Sequence, residues 1–233
     1  MNKRTILLAI LLILLYVRTS FAHDLWLYVD NYYPAVGGKI VVKVVFGHKF
    51  NEPDILISKK QLSEFYYITP DGKKKEIIKT WENRIDEKKG TLAAEITIEQ
   101  EGTYIICASR KVTGADCEQP SEKCGKAIVI AGKGNNNVSK PLNNRIEIIF
   151  LENPSEVKQW DSLPVKILYE GNPLSTYVYA TFEGFCSENE PFSTTSKSDE
   201  KGIAYMKIIQ QGIWFITVNY KRDFSATLTF KIE

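Results

Sequence analysis

Apolar and polar residues alternate with a period of two along most of the chain. The alternation predicts strands over residues 39–47, 64–69, 91–98 and 103–108. Turn signals separate them. Pro70-Asp71-Gly72-Lys73 presets φ at proline and accepts positive φ at glycine, and Glu101-Gly102 does similar work before Thr103. Six further segments follow the same rule, at 145–151, 163–169, 176–182, 203–209, 213–220 and 226–232. Turns are predicted at Ser198-Asp199-Glu200-Lys201-Gly202 and at Gln210-Gln211-Gly212, which leads into a core Trp214. Nowhere do apolar residues recur at helical spacing over three turns, which excludes a helix bundle and argues against a doubly wound α/β sheet. The stretch 132–141 is glycine- and asparagine-rich without periodicity, and reads as a linker. The expected organisation is all-β, with two immunoglobulin-like β-sandwich domains at 23–140 and 141–233.

The first 22 residues break this pattern. Asn2-Lys3-Arg4 is a basic start, 5–17 is a continuous apolar run of thirteen residues, and Ser20-Phe21-Ala22 puts small residues at the two positions a signal peptidase reads. As a helix the run spans about 20 Å, short of the ~30 Å hydrocarbon core, so a signal peptide fits better than an anchor. No cysteine follows it for lipid attachment. The expected destination is the periplasm or the medium, with no stable membrane anchor after cleavage. Composition supports a globular chain: 44% hydrophobic, 25% charged, with 12 Tyr, 11 Phe and 4 Trp favouring strands. The formal charge of +2 includes three cations and no acid in residues 1–22, leaving about −1 after cleavage. No basic stripe points to nucleic acid.

Cleavage after Ala22 would make His23 the first residue, and the only other histidine, His48, follows Gly47 at the end of the strand 39–47. A terminal histidine offers its α-amine and Nδ1 as a chelating pair. The amine has an ordinary pKa of about 7.7–8.0, so a divalent ion displaces its proton near neutrality. His48 would supply a third nitrogen; Asp24, Glu52 and Asp54 could complete or orient the site, and water or Asp24 is expected to fill the remaining positions. Nitrogen-rich donors suit nickel, cobalt, copper or zinc over calcium. The competing reading makes His23 an accident of cleavage and His48 a loop residue.

Other candidates are weaker. Ser193-Thr194-Thr195-Ser196 reads as an exposed strand edge, since no histidine remains to serve as its base. Trp26, Trp81, Trp160 and Trp214 read as core or interdomain packing. Cys107, Cys117, Cys124 and Cys186 allow three pairings. In an oxidising compartment the favoured one is Cys117–Cys124, stapling a loop over 115–124; the alternative is a thiolate metal site, but six intervening residues fit no common zinc spacing.

The segment Ala22-His23-Asp24-Leu25-Trp26-Leu27 resembles the start of a large bacterial family of exported proteins of formally unknown function. Its members are commonly described as periplasmic components of cobalt/nickel ABC-type uptake systems. The resemblance continues through Phe46-Gly47-His48-Lys49-Phe50, Gly125-Lys126-Ala127, Pro141-Leu142-Asn143-Asn144-Arg145-Ile146-Glu147-Ile148, Asn153-Pro154, residues 163–174, residues 199–202 and Gly212-Ile213-Trp214. It implies paired β-sandwich modules and a divalent transition metal, nickel or cobalt with copper possible, bound through His23 and His48 without catalysis. The implied partner is an inner-membrane metal transporter. Two other readings stand beside it: a copper carrier or oxidative polysaccharide-cleaving enzyme with the same histidine geometry, and a metal-free structural or carbohydrate-interaction module.

Overall fold

The computed structural model describes residues 23–113, 120–133, 137–185, 191–221 and 223–233. The chain is all-β. Its first half contributes β1 (Asp24–Val29), β2 (Lys39–Gly47), β3 (Glu64–Ile68), β4 (Lys74–Glu76), β5 (Trp81–Arg84), β6 (Gly90–Thr97), β7 (Gly102–Val112) and β8 (Ser121–Ala131). Its second half contributes β9 (Ile146–Phe150), β10 (Ser162–Tyr169), β11 (Asn172–Pro173), β12 (Tyr177–Phe182), β13 (Thr194–Lys197), β14 (Ile203–Lys207), β15 (Gly212–Tyr220) and β16 (Phe224–Ile232). Among the described residues no helix is long and apolar enough to cross a membrane.

The sheets form three layers. One outer sheet has the order β1-β2-β6-β5, and the other is built on β10, which pairs with β9, β11 and β14. Between them runs an eight-stranded sheet, β13-β12-β15-β16-β8-β7-β3-β4. Both halves of the chain contribute to it, and they join where β8 and β16 pair in parallel, Phe224 opposite Glu122 through Thr229 opposite Ala127. Parallel strands need a long crossover, and here the whole second half supplies it.

This central sheet is covered on both faces. On β7, Tyr104, Ile106 and Ala108 point into a core shared with β1, β2 and β6, whereas Ile105 and Cys107 point into a second core with β9, β10 and β14. Strands buried on both faces lose the apolar–polar alternation. That is why β8, whose charged residues Glu122, Lys123 and Lys126 are also buried, lies outside the strands predicted from pattern. Trp214 is fully buried as expected, and so is Trp26, but Trp81 and Trp160 are exposed. Thr194–Lys197 is the edge strand β13.

The segment after residue 136 is packed against the protein. Val138 is buried in the second core and Leu142 lies against it. The backbone amides of Leu142 and Asn143 donate to the Glu147 carboxylate at 2.8 and 3.2 Å. Glu147 also meets the ammonium of Lys126 at 2.9 Å, in a pair almost fully buried. A buried ion pair survives only when its remaining lone pairs are satisfied, and here two backbone donors do so.

Candidate metal centre

β1 and β2 run antiparallel with Asp24 opposite Gly47, Leu25 opposite Phe46 and Leu27 opposite Val44. One more step of the same register sets His23 against His48. Alternation then fixes the faces: Val29, Leu27 and Leu25 on β1, with Val42, Val44 and Phe46 on β2, all point into the first core. Burying each such side chain contributes roughly 1.5–3 kcal/mol, so a one-residue slip that exposed both columns is strongly disfavoured. His23 and His48 continue these columns past their apolar ends, at the rim of the sandwich. Their ring centroids lie 3.8 Å apart, and His23 stacks on Phe46 at 5.1 Å with the planes 7° from parallel.

The third member comes from the loop after β2. The chain doubles back through a bridge between Lys49 and Glu52, with Asn51 at φ 71°, until the Asp54 amide donates to the Phe46 carbonyl at 3.0 Å. Gly47 permits this approach, since a Cβ there would sit 2.5 Å from the Glu52 carbonyl oxygen. Asp54 Oδ2 then accepts from the backbone amide of His48 at 2.9 Å and lies 2.6 Å from His48 Nδ1. His23 Nε2 is 3.7 Å from the same oxygen. One nitrogen from each histidine and one Asp54 oxygen all fall within 4.8 Å of one another.

Charge around the cluster favours neutral imidazole beside ionised carboxylate. Partial burial lowers the His23 pKa first; His48, Lys123 and Arg110 lower it further, while Asp54 acts against them. Partial burial works to raise the Asp54 pKa, but the hydrogen bonds from the His48 side chain and amide outweigh it and hold it below its ordinary value. Arg110 sits over the Phe46 ring at 5.4 Å, on the ring that His23 stacks against.

The structure does not bring the other expected ligand to this site. Asp24 follows His23 in the strand, so alternation turns its side chain to the opposite face of β1. There Asp24 Oδ2 accepts from the Thr217 hydroxyl at 3.0 Å. Asp24 Oδ1, the Lys123 ammonium and the Ser225 hydroxyl are buried, and Lys123 and Ser225 both act on the Asp24 carboxyl. Burial raises the Asp24 pKa, against the pull of Lys123 and Thr217. Asp24 therefore belongs to an interior polar cluster, and the carboxylate that meets the histidines is Asp54. Of the other nearby acids, Glu52 pairs with Lys49 at 2.7 Å. The expected Cys117–Cys124 staple cannot be described, because Cys117 lies outside the described residues. Cys124 is not in a loop: it lies inside β8, buried and unbridged, facing Cys107.

Two imidazoles and a carboxylate fit a borderline divalent ion. Bonds of about 2.0–2.2 Å place ligand atoms at most about 4 Å apart, so the set must close by under 1 Å. The His23 nitrogen turned to Asp54 is Nε2, and in the unprocessed chain its main-chain nitrogen is a peptide nitrogen; the amine and Nδ1 become a chelating pair only with cleavage after Ala22. The second half of the chain holds the loop in place, because Asn51 Nδ2 donates to Glu183 Oε1 at 2.6 Å.

A family model described as "Domain of unknown function (DUF4198)" matches residues 20–222. No curated protein matches the chain. Among solved structures, the full ectodomain of mouse nectin-like molecule 4 is 11% identical, with 91% of this chain and 64% of that one covered and a TM-score of 0.26. A marsupial T cell receptor is 13% identical over 91% of this chain and 98% of that one, with a TM-score of 0.29. Neither likeness at such scores bears on function. The family match does bear on identity, since it covers nearly everything after the first 19 residues: this chain belongs to the DUF4198 family, a domain of unknown function.

Proposed function

We propose that the protein is exported, cleaved after Ala22, and binds one divalent transition-metal ion, nickel or cobalt, through His23, His48 and Asp54, to be passed to an inner-membrane transporter. The observation that carries this reading is the meeting of the chain's only two histidines, with a carboxylate, at one rim of the first sandwich. Coordination and release suffice; no catalytic step is invoked. A rim site on a chain terminus suits hand-off, because His23, His48 and Asp54 each keep a third or so of their side-chain surface open. On processing, turning the His23 ring to present Nδ1 lets the α-amine add a further nitrogen.

Calorimetry tests this on the chain beginning at His23. The expected result is one Ni²⁺ or Co²⁺ per chain, with His48→Ala weakening binding at least tenfold and a glycine added ahead of His23 removing the amine's share. Absence of heat at micromolar metal overturns the proposal. Copper binding alone discriminates little, because copper lies at the top of the divalent affinity order. Reductant-dependent peroxide formation by the copper-loaded protein would favour the oxidative-enzyme reading instead.

A further inference from the structure

Cys107 on β7 and Cys124 on β8 face the second core, away from the histidine rim. The register pairs Cys107 with Lys126 and Ser109 with Cys124, so the two cysteines are diagonal neighbours across the strands. Their sulfurs lie 3.5 Å apart. A bond of about 2.05 Å requires roughly 1.5 Å of closure, and diagonal neighbours, ordinarily about 7–8 Å apart, reach it with the two strands drawn slightly together. Asn144 caps the pair from the second half of the chain, its Nδ2 donating to Cys124 Sγ at 3.1 Å and lying 3.8 Å from Cys107 Sγ. Asn144 and Tyr66 form part of the lining of a polar cleft of about 610 Å³ at the junction of the two halves. Both thiols are closed off, at 0% and 3% exposure.

We infer that Cys107 and Cys124 are the site of this protein's structural disulfide, in place of Cys117–Cys124, formed by exchange with an external disulfide such as glutathione disulfide before Asn144 closes over them. The Cys107 thiolate attacks the external disulfide, giving a mixed disulfide and releasing one thiolate. The Cys124 sulfur then attacks Cys107 and expels the second. Two electrons pass to the external disulfide, whose two sulfurs leave with the two cysteine protons. Because the exchange precedes burial, either sulfur can make the first attack, and the two steps balance equally with the roles of Cys107 and Cys124 reversed. Oxidation in the cell rests on the export reading; the choice of pair rests on the geometry alone.

The test refolds the chain beginning at His23 from the reduced, denatured state in glutathione redox buffer, followed by alkylation and peptide mapping. A parallel sample carries Cys117→Ala and Cys186→Ala. The expected results are a Cys107–Cys124 linked peptide in the first sample and the loss of two hydrogens in the intact mass of the second. Reduction should then lower Tm on the order of 10 °C, as opening a loop of this length in a domain of this size implies. Thiols at 107 and 124 that alkylate once the refolded protein is denatured without reductant, or Cys124 linked to Cys117 or Cys186, overturn the inference. The export reading is separable: if the linkage forms in vitro while chain made in cells retains both thiols, export is wrong and the pairing stands.

Discussion

At the residue scale, the cluster makes a prediction about protons. Metal binding requires neutral imidazole, and burial together with the nearby cations holds the His23 pKa below the ordinary 6.5. With the main-chain nitrogen in a peptide bond, the share of affinity that depends on His23 should therefore be lost only on acidification below the ordinary imidazole range. In the chain beginning at His23, the α-amine must also lose its proton, so affinity should begin to fall below about pH 8. Calorimetry across pH on both forms reads the difference; coincident profiles would show that the amine takes no part. The site itself was half legible in the sequence. His23 and His48 stand out by rarity and position, but nearness in the chain to His23 points to Asp24 rather than Asp54. Adjacent residues of a strand face opposite ways, and only the backward fold of the 48–54 loop brings Asp54 to the histidines.

At the element scale, β1 is tied to the central sheet by side chains as well as by pairing with β2. The Thr227 and Thr229 hydroxyls of β16 donate to the Leu25 and Leu27 carbonyls at 2.7 Å each. Gly125 on β8 allows the crossing, since a Cβ there would lie 2.8 Å from the Leu25 side chain. Replacing either threonine with valine keeps the shape but leaves a buried carbonyl short of a donor, at a cost of about 1–3 kcal/mol each. Urea denaturation of the single and double variants should show this, with faster hydrogen exchange confined first to β1 and its end at His23. Unchanged stability in the double variant would mean that the β1–β2 ladder alone holds the strand. The pattern predicted β2 over its full length because one face is apolar and the other mixed. It gave no warning of β8, where two cores and a buried ion pair remove the alternation.

At the scale of the whole molecule, one continuous sheet through both halves makes them a single cooperative unit. Lys126 and Glu147 join the halves on the side of the second core. Lys126→Met strands a buried carboxylate and should cost about 3–5 kcal/mol. Tryptophan fluorescence and far-ultraviolet circular dichroism should nevertheless follow one coincident urea transition in the parent chain, because Trp26 and Trp214 sit in different halves of the same packed structure. Two separated transitions would show that the halves fold independently.

The sequence alone determined the fold class and the choice of rare residues, because strand periodicity and turn chemistry are local and act over a few neighbours. It also set both histidines at the ends of strands, where the core columns run out. Only the tertiary structure decided that those ends lie side by side, that Asp54 completes the cluster while Asp24 turns inward, and that β8 and β16 weld two sandwiches into one sheet. Those outcomes depend on strand register and on pairings between residues about 100 positions apart, which burial on opposing faces selects and no local pattern encodes.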